Sequence, residues 1–196
     1  MSEKDIKQFF DNLAPKWDSL EMIKDDHIIE LFKKIGIKKN DEILDVGCGT
    51  GRVTYILHAL SESSVTGVDL SSNMIDIAKD KYKNETYATF LCEDFLEYDL
   101  QKKFDIIVIY NAYPHFLDLE KLNNALKRNL KDGGRFAIIH SLGRTKLQDV
   151  HSDLNTSVSR YLEDPITEGK HFSKDFEILT AEEDDNSFVL VCKKRS

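Results

Sequence analysis

The sequence predicts an α/β fold, a doubly wound sheet of seven strands that is mostly parallel and closes with an antiparallel hairpin. Three observations carry this. Between Glu42 and His140, strand-like and helix-like segments alternate, a rhythm that builds parallel strands through helical crossovers. Phe104–Tyr110 is an apolar run of the kind buried on both faces of a parallel sheet. At the C-terminal end, Phe176–Leu179 and Ser187–Cys192 are two strands joined by the acidic turn Glu183-Asp184-Asp185-Asn186, which reads as a hairpin.

The elements follow in order. Ile6, Phe9, Phe10 and Leu13 keep helical spacing and mark a first helix ending before Pro15. Ile28, Leu31, Phe32 and Ile35 mark a second, stopped by Gly36. Strands are expected near Glu42–Val46, Val65–Val68 and Ala88–Cys92, with helices near 51–60 and 72–83 between them. After Phe104–Tyr110, the leucines 119, 122, 126 and 130 give another helix, and Asp132-Gly133-Gly134 turns the chain into a fifth strand, Arg135–His140. Residues 1–196 read as one domain, with 1–36 as an N-terminal helical segment.

Composition narrows the class. A chain 41% hydrophobic and 32% charged is that of a globular protein, and it holds no run of about eighteen apolar residues to span a membrane. The charged start, Met-Ser-Glu-Lys-Asp, argues against a secretory signal. Cys48, Cys92 and Cys192 are odd in number and far apart, so neither a disulfide framework nor a thiolate metal motif is expected, and a cytoplasmic location is. A net charge of −8 disfavours nucleic acid as a partner. A monomer or homodimer is expected.

Ile43 to Arg52 (Ile-Leu-Asp-Val-Gly-Cys-Gly-Thr-Gly-Arg) is the most informative stretch. A buried strand ends in an acidic residue and delivers its backbone into a turn with glycine at every second position, as a ligand lying against the turn requires. Thr50 is placed to cap a helix carrying Val53, Ile56, Leu57 and Leu60 on one face. A dinucleotide fingerprint would read G-x-G-x-x-G; here Gly47, Gly49 and Gly51 read G-x-G-x-G, and the third dinucleotide glycine would fall on the long charged Arg52.

That spacing resembles motif I of the class I S-adenosylmethionine-dependent methyltransferases, whose Rossmann-like sheet also ends in a hairpin, and the resemblance runs over roughly residues 5 to 193. It implies a cofactor site across Asp45, Gly47, Cys48, Gly49 and Gly51. It implies Asp69 and Leu70 after the second strand for the ribose, where a helix-capping role is better filled by Ser71 or Ser72. Met74 is implied against the adenine, or else packs in the core with Ile77 and Ala78. Asp94 and Phe95 resemble motif III, with Glu93 competing for the acidic role. Tyr110 and Asn111 are implied beside the methionine end. Phe9–Asp18 looks like the N-terminal lid of the ubiquinone/menaquinone-type group, with Trp17 covering the methionine part.

The acceptor side rests on Tyr113, His115 and His140 as candidate catalytic residues, because His115 and His140 follow the fourth and fifth strands on the face where ligands enter. His115, His140 and His151 are alternatively a three-histidine site for a divalent metal that ionises the acceptor, and His151, on the stripe Leu147, His151, Leu154, Val158, also fits simple packing. The remaining histidines read as surface or packing groups. The expected function is methyl transfer from S-adenosylmethionine to a small-molecule acceptor. The rivals are a nicotinamide-dependent oxidoreductase of Rossmann type, to which Asp69 would be equally suited, and a non-catalytic protein that binds S-adenosylmethionine.

Overall fold

A computed structural model describes residues 3–20, 23–147 and 159–195. Its elements are α1 (Glu3–Leu13), a 3-10 turn at Ala14–Lys16, α2 (Trp17–Leu20), α3 (Asp25–Lys33), β1 (Ile43–Val46), α4 (Thr54–Ser61), β2 (Val65–Asp69), α5 (Ser72–Lys81), β3 (Ala88–Cys92) and β4 (Phe104–Tyr110). There follow a 3-10 turn at Tyr113–His115, α6 (Leu119–Asn129), β5 (Leu130–His140), α7 (Pro165–Lys170), β6 (Phe176–Asp184) and β7 (Ser187–Lys194).

The strands form one seven-stranded sheet in the order β3-β2-β1-β4-β5-β7-β6. β1 to β5 run parallel, and β7 enters antiparallel between β5 and β6. Successive side chains of a strand point to opposite faces, and the two cores divide accordingly. Ile107 and Ile109 join Leu44, Phe136, Ile138, Leu122 and Leu126 on one face. Ile106 and Val108 join Ile43, Ala137, Phe32 and Leu57 on the other. All four of these β4 residues are fully buried, each contributing roughly 1.5–3 kcal/mol of apolar transfer energy. The continuous apolar run of β4 is thus the consequence of helices on both faces.

Two local expectations are corrected. Thr50 does not cap α4: the helix begins at Thr54 with Val53 at its N-cap and no side-chain cap, while the Thr50 hydroxyl donates to Asp18. The fifth strand starts at Leu130, because Leu130 already pairs with Phe104; Gly133, at φ 72°, lies inside it where the register to β4 shifts. The first helix ends at Leu13, before Pro15, as expected, and Pro15 then lies in a 3-10 turn that carries the chain into Trp17. Ser71 caps α5 as expected, accepting from the Met74 amide. Among the described residues no helix is long and apolar enough to cross a membrane.

The sheet order reverses between β1 and β4, which both extend from the centre toward the same end. Ligands of open parallel sheets lie beyond the strand C-termini at such a switch point, and the cleft of this protein opens there.

Candidate active site

The cleft has an empty volume of about 1040 Å³, open solvent at its mouth included, a size suited to a small-molecule site. Its floor is the turn after β1. Gly47, Gly49 and Gly51 all take left-handed φ values, 70°, 52° and 76°, which glycine alone adopts without cost. A Cβ on Gly49 would project between the Trp17 indole nitrogen and the Met74 sulfur, 3.6 and 3.9 Å away. The turn is pinned to β2: Gly49 N donates to Asp69 Oδ2 at 2.8 Å, and Gly47 N and Cys48 N donate to Val68 O.

Two carboxyl groups face this turn. Asp45, 1% exposed, has both oxygens buried and neither hydrogen-bonded. Its burial, with Asp69 nearby, pushes its pKa up to about 8. Burial also raises Asp69, against the opposing pull of hydrogen bonds from the Ser71 and Gly49 amides. Burial raises the Cys48 thiol well above its usual value, so Cys48 packs as a small apolar group. A buried carboxyl with no hydrogen-bond donor is costly, and a donor or cation brought against it would offset that cost.

Of the residues expected to hold a cofactor, Trp17, Asp45, Gly47, Cys48, Gly49, Asp69, Leu70, Met74, Asp94, Phe95, Tyr110 and Asn111 all line the cleft. Gly51 does not. A Cβ there would meet Tyr82 at 2.9 Å and Phe90 at 3.1 Å, so its glycine serves packing beneath the turn. Met74 does both of the things weighed for it, lining the cleft while 1% exposed. Asn111 follows β4 at φ 53° and ties its end to β5, accepting from Ser141 N and donating to Ser141 Oγ, both at 3.0 Å. Arg52 lies at the cleft wall, bonded to Asp25 at 2.7 Å, to Ile23 O and to the Tyr55 hydroxyl, an arrangement incompatible with the close packing of a dinucleotide-type third glycine.

The N-terminal segment lies across the opening. Ile6, Phe10 and Trp17 line the cleft, and Phe10 meets Trp17 and His115 edge-on, with ring centroids 5.7 and 4.8 Å apart. Two carboxylates fasten the segment to the elements beneath. Asp11 accepts from Ser71 Oγ at 2.6 Å, from Asn73 N at 3.1 Å and from Lys7 at 2.7 Å. Burial works upward on its pKa, but these bonds outweigh it and hold the group near 2. Asp18 takes the Thr50 hydroxyl and Lys81, the latter at 2.8 Å. Sequence spacing gave no sign of the bonds to Ser71, Asn73, Thr50 and Lys81, because these partners are more than thirty residues from Asp11 and Asp18.

The acceptor-side residues fare differently. His115 lines the cleft, with Ser159 Oγ 3.4 Å from its Nδ1. Tyr113 is corrected: it is fully buried behind the wall, its hydroxyl donating to Glu168 at 2.8 Å and its ring under Arg160 at 4.4 Å. Burial raises its phenol far above the usual range, so it neither reaches the cleft nor ionises. His140 is corrected as well. It is 1% exposed, sits edge-on to Phe188 at 5.8 Å and is not among the cleft's lining residues, because the β5–β7 pairing draws His140 opposite Phe188. His151 lies outside the described residues. Among the described residues no group of three His, Cys, Asp or Glu side chains is placed to hold a metal ion, and His140 lies away from the cleft that His115 lines.

Behind His115 is a network that sequence reasoning missed. Glu168, fully buried, takes both Arg160 terminal nitrogens at 2.9 Å, the Tyr113 hydroxyl and the Glu163 amide. Arg160 N donates to Pro114 O at 2.9 Å. Together these bonds hold residues 159–164 against the turn that presents His115.

Comparison with known proteins agrees with this geometry. A family model described as a methyltransferase domain matches residues 43–134. Malonyl-(acyl-carrier protein) O-methyltransferase 1 of Ilyobacter polytropus is 30% identical over 194 residues, which are 94% of this chain and 71% of that protein. The malonyl-(acyl-carrier protein) O-methyltransferase of Acetivibrio thermocellus is 27% identical over 183 residues, 91% of this chain, and the chain spans 64% of that relative's length, just under two thirds. The N-methyltransferase NodS of Bradyrhizobium japonicum, solved with S-adenosyl-L-homocysteine, shares the fold at a TM-score of 0.74 and 14% identity, over 98% of this chain and all of that one.

Proposed function

The chain belongs to the class I S-adenosylmethionine-dependent methyltransferases, and from that premise we propose that it moves a methyl group from S-adenosylmethionine to a small-molecule acceptor, with His115 as the base. The observation that carries the cofactor assignment is Asp45, a buried carboxyl with two unbonded oxygens at the cleft floor. It fits the ammonium of an amino-acid ligand, and the space over Gly49, between Trp17 and Met74, fits the chain that carries it. S-adenosylmethionine supplies, when bound, a methyl already activated on a sulfonium.

Each side chain then has a defined task. Asp69 is placed for the ribose hydroxyls, and Asp94 with Phe95 for the adenine edge and face. Tyr110, Asn111 and Trp17 border the methionine end. The latches at Asp11 and Asp18 keep α1 and Trp17 across the opening, which excludes water and limits where an acceptor stands. His115, the one imidazole that lines the cleft among the described residues, holds the proton released by the acceptor. Alignment does most of the work, because an activated donor needs little further chemistry from the protein.

Titration calorimetry with S-adenosylmethionine, its demethylated product and NAD tests the cofactor; binding of NAD alone would overturn the assignment. Turnover to the demethylated product separates an enzyme from a non-catalytic binder. His115→Ala should lower turnover by about 10²–10⁴-fold, the usual range for a lost general base, while His140→Ala and Tyr113→Phe leave the chemical step within a few fold.

A further inference from the structure

We propose that the acceptor is uncharged and largely apolar, reacts through a hydroxyl, and is neither a carboxylate nor a phosphate; the inference rests on the cofactor assignment above. The cleft is electrically lopsided. Asp45, Asp69, Glu93 and Asp94 gather at the ends of β1, β2 and β3, where the cofactor is assigned. Among the described residues the opposite wall, from α1, the Trp17 turn and the segment after β4, carries Ile6, Phe10, Trp17, Ala112, His115 and Phe116, with Asn111 at its inner end tied to Ser141. Its rings form a continuous surface through the edge-on contacts of Phe10 with Trp17 and His115.

An anion entering this space would lose its hydration and gain no cationic side chain, and the sulfonium of the cofactor would be its single counter-charge against the four carboxyl groups that share the cleft. Arg52 is the single lysine or arginine among the lining residues, and its guanidinium is engaged by Asp25, Ile23 O and Tyr55. Residues 1–2, 21–22, 148–158 and 196 contain neither lysine nor arginine, so those stretches supply none either. A desolvated anion near several carboxyl groups is disfavoured twice, by burial and by like charge. An ammonium is disfavoured by the sulfonium charge beside which the reacting atom must stand. An apolar body is stabilised against the aromatic wall, and a hydroxyl gives His115 its proton as the new carbon–oxygen bond forms and the carbon–sulfur bond breaks. This sets the chain apart from relatives named for a malonyl acceptor, which carries a carboxylate.

The test loads the protein with sinefungin, an S-adenosylmethionine analogue whose amine cation stands in for the methyl sulfonium, and titrates three probes built on one ring system: 1-naphthol, 1-naphthoate and 1-naphthylmethylammonium. The naphthol should bind tighter than either charged probe by about tenfold or more. Phe116→Ala should weaken the naphthol by roughly fivefold, the loss of one aromatic contact, and leave sinefungin affinity within about twofold. Equal or tighter binding of the naphthoate or the ammonium overturns the proposal. So does a protein that binds sinefungin and none of the three probes, and so does a naphthol affinity indifferent to Phe116→Ala. If sinefungin itself fails to bind, the cofactor assignment falls, and this inference with it.

Discussion

Glu168→Ala puts the wall behind His115 to a quantitative test. Glu168 is fully buried and accepts four hydrogen bonds, two of them from Arg160, whose side chain is 19% exposed. Removing one partner of a buried pair leaves the other charge uncompensated, at about 3–5 kcal/mol. Arg160 keeps a limited path to water, so the lower end, about 3 kcal/mol, applies here. For a chain of this length each kcal/mol moves Tm by about 2–4 °C, which gives a fall of roughly 6–12 °C. Arg160 holds the Glu168 carboxyl below its usual pKa, against the upward push of burial. A depressed folded pKa contributes stability above the unfolded value, near 4.3, and that contribution disappears as pH falls through the folded pKa. The difference in Tm between wild type and Glu168→Ala should therefore be full at pH 7 and shrink below about pH 4. Calorimetric melts across pH measure it directly. Arg160→Leu with Glu168→Leu should recover much of the loss, since replacing both partners removes the stranded charge. A fall under about 2 °C at pH 7, or an effect of the double change equal to the sum of the single ones, would refute the reasoning.

Three further outcomes follow from the same geometry. Asp45 keeps its proton to about pH 8 in the folded chain and to about 4 when unfolded; without cofactor, stability should fall as pH rises across that window, while S-adenosylmethionine affinity rises up to tenfold per pH unit below 8, and Asp45→Asn should flatten both profiles. Asp11→Ala removes the bonds to Ser71 and Asn73 and should speed release of S-adenosylhomocysteine by roughly fivefold, the equivalent of about 1 kcal/mol, read by stopped-flow fluorescence of Trp17, the only tryptophan in the chain; an unchanged release rate would mean that Asp11 does not fasten the N-terminal segment. Gly51→Ala forces a side chain into a left-handed backbone 2.9 Å from Tyr82 and should cost about 2–4 kcal/mol of stability, with cofactor affinity of the folded fraction nearly intact, as calorimetric melts and titrations would show.

Most of the architecture was legible because its signals are local. The apolar run 104–110 had to lie between two helical layers, and Gly47-Cys48-Gly49 had to make a turn through left-handed backbone. Asp69 had to stand at a strand end, where a parallel sheet leaves its ligands. What misled sequence reasoning was side-chain direction past the strand ends. Tyr113, His115 and His140 all fall in the right neighbourhood, yet only His115 lines the cleft. Tyr113 turns inward to Glu168, 55 residues away in sequence, and His140 is drawn against Phe188 by the β5–β7 register. Gly51 shows the same limit, since its spacing reads as ligand-facing while its Cβ position is taken by Tyr82 and Phe90.

The sequence by itself determined the strand–helix order, the glycine turn and the carboxylates at the strand ends, and through them the family. Hydrophobic periodicity and backbone permissiveness act over a few residues, and each is written into a short stretch of chain. Only the tertiary structure decided that α1 and Trp17 are fastened across the cleft by Asp11 and Asp18. It also decided that, of Tyr113, His115 and His140, His115 alone lines the cleft beside Phe10, and that Arg160 and the buried Glu168 pair behind it. Those facts depend on which side chains meet across tens of residues, and the packing of two helical layers on one sheet is what brings them together.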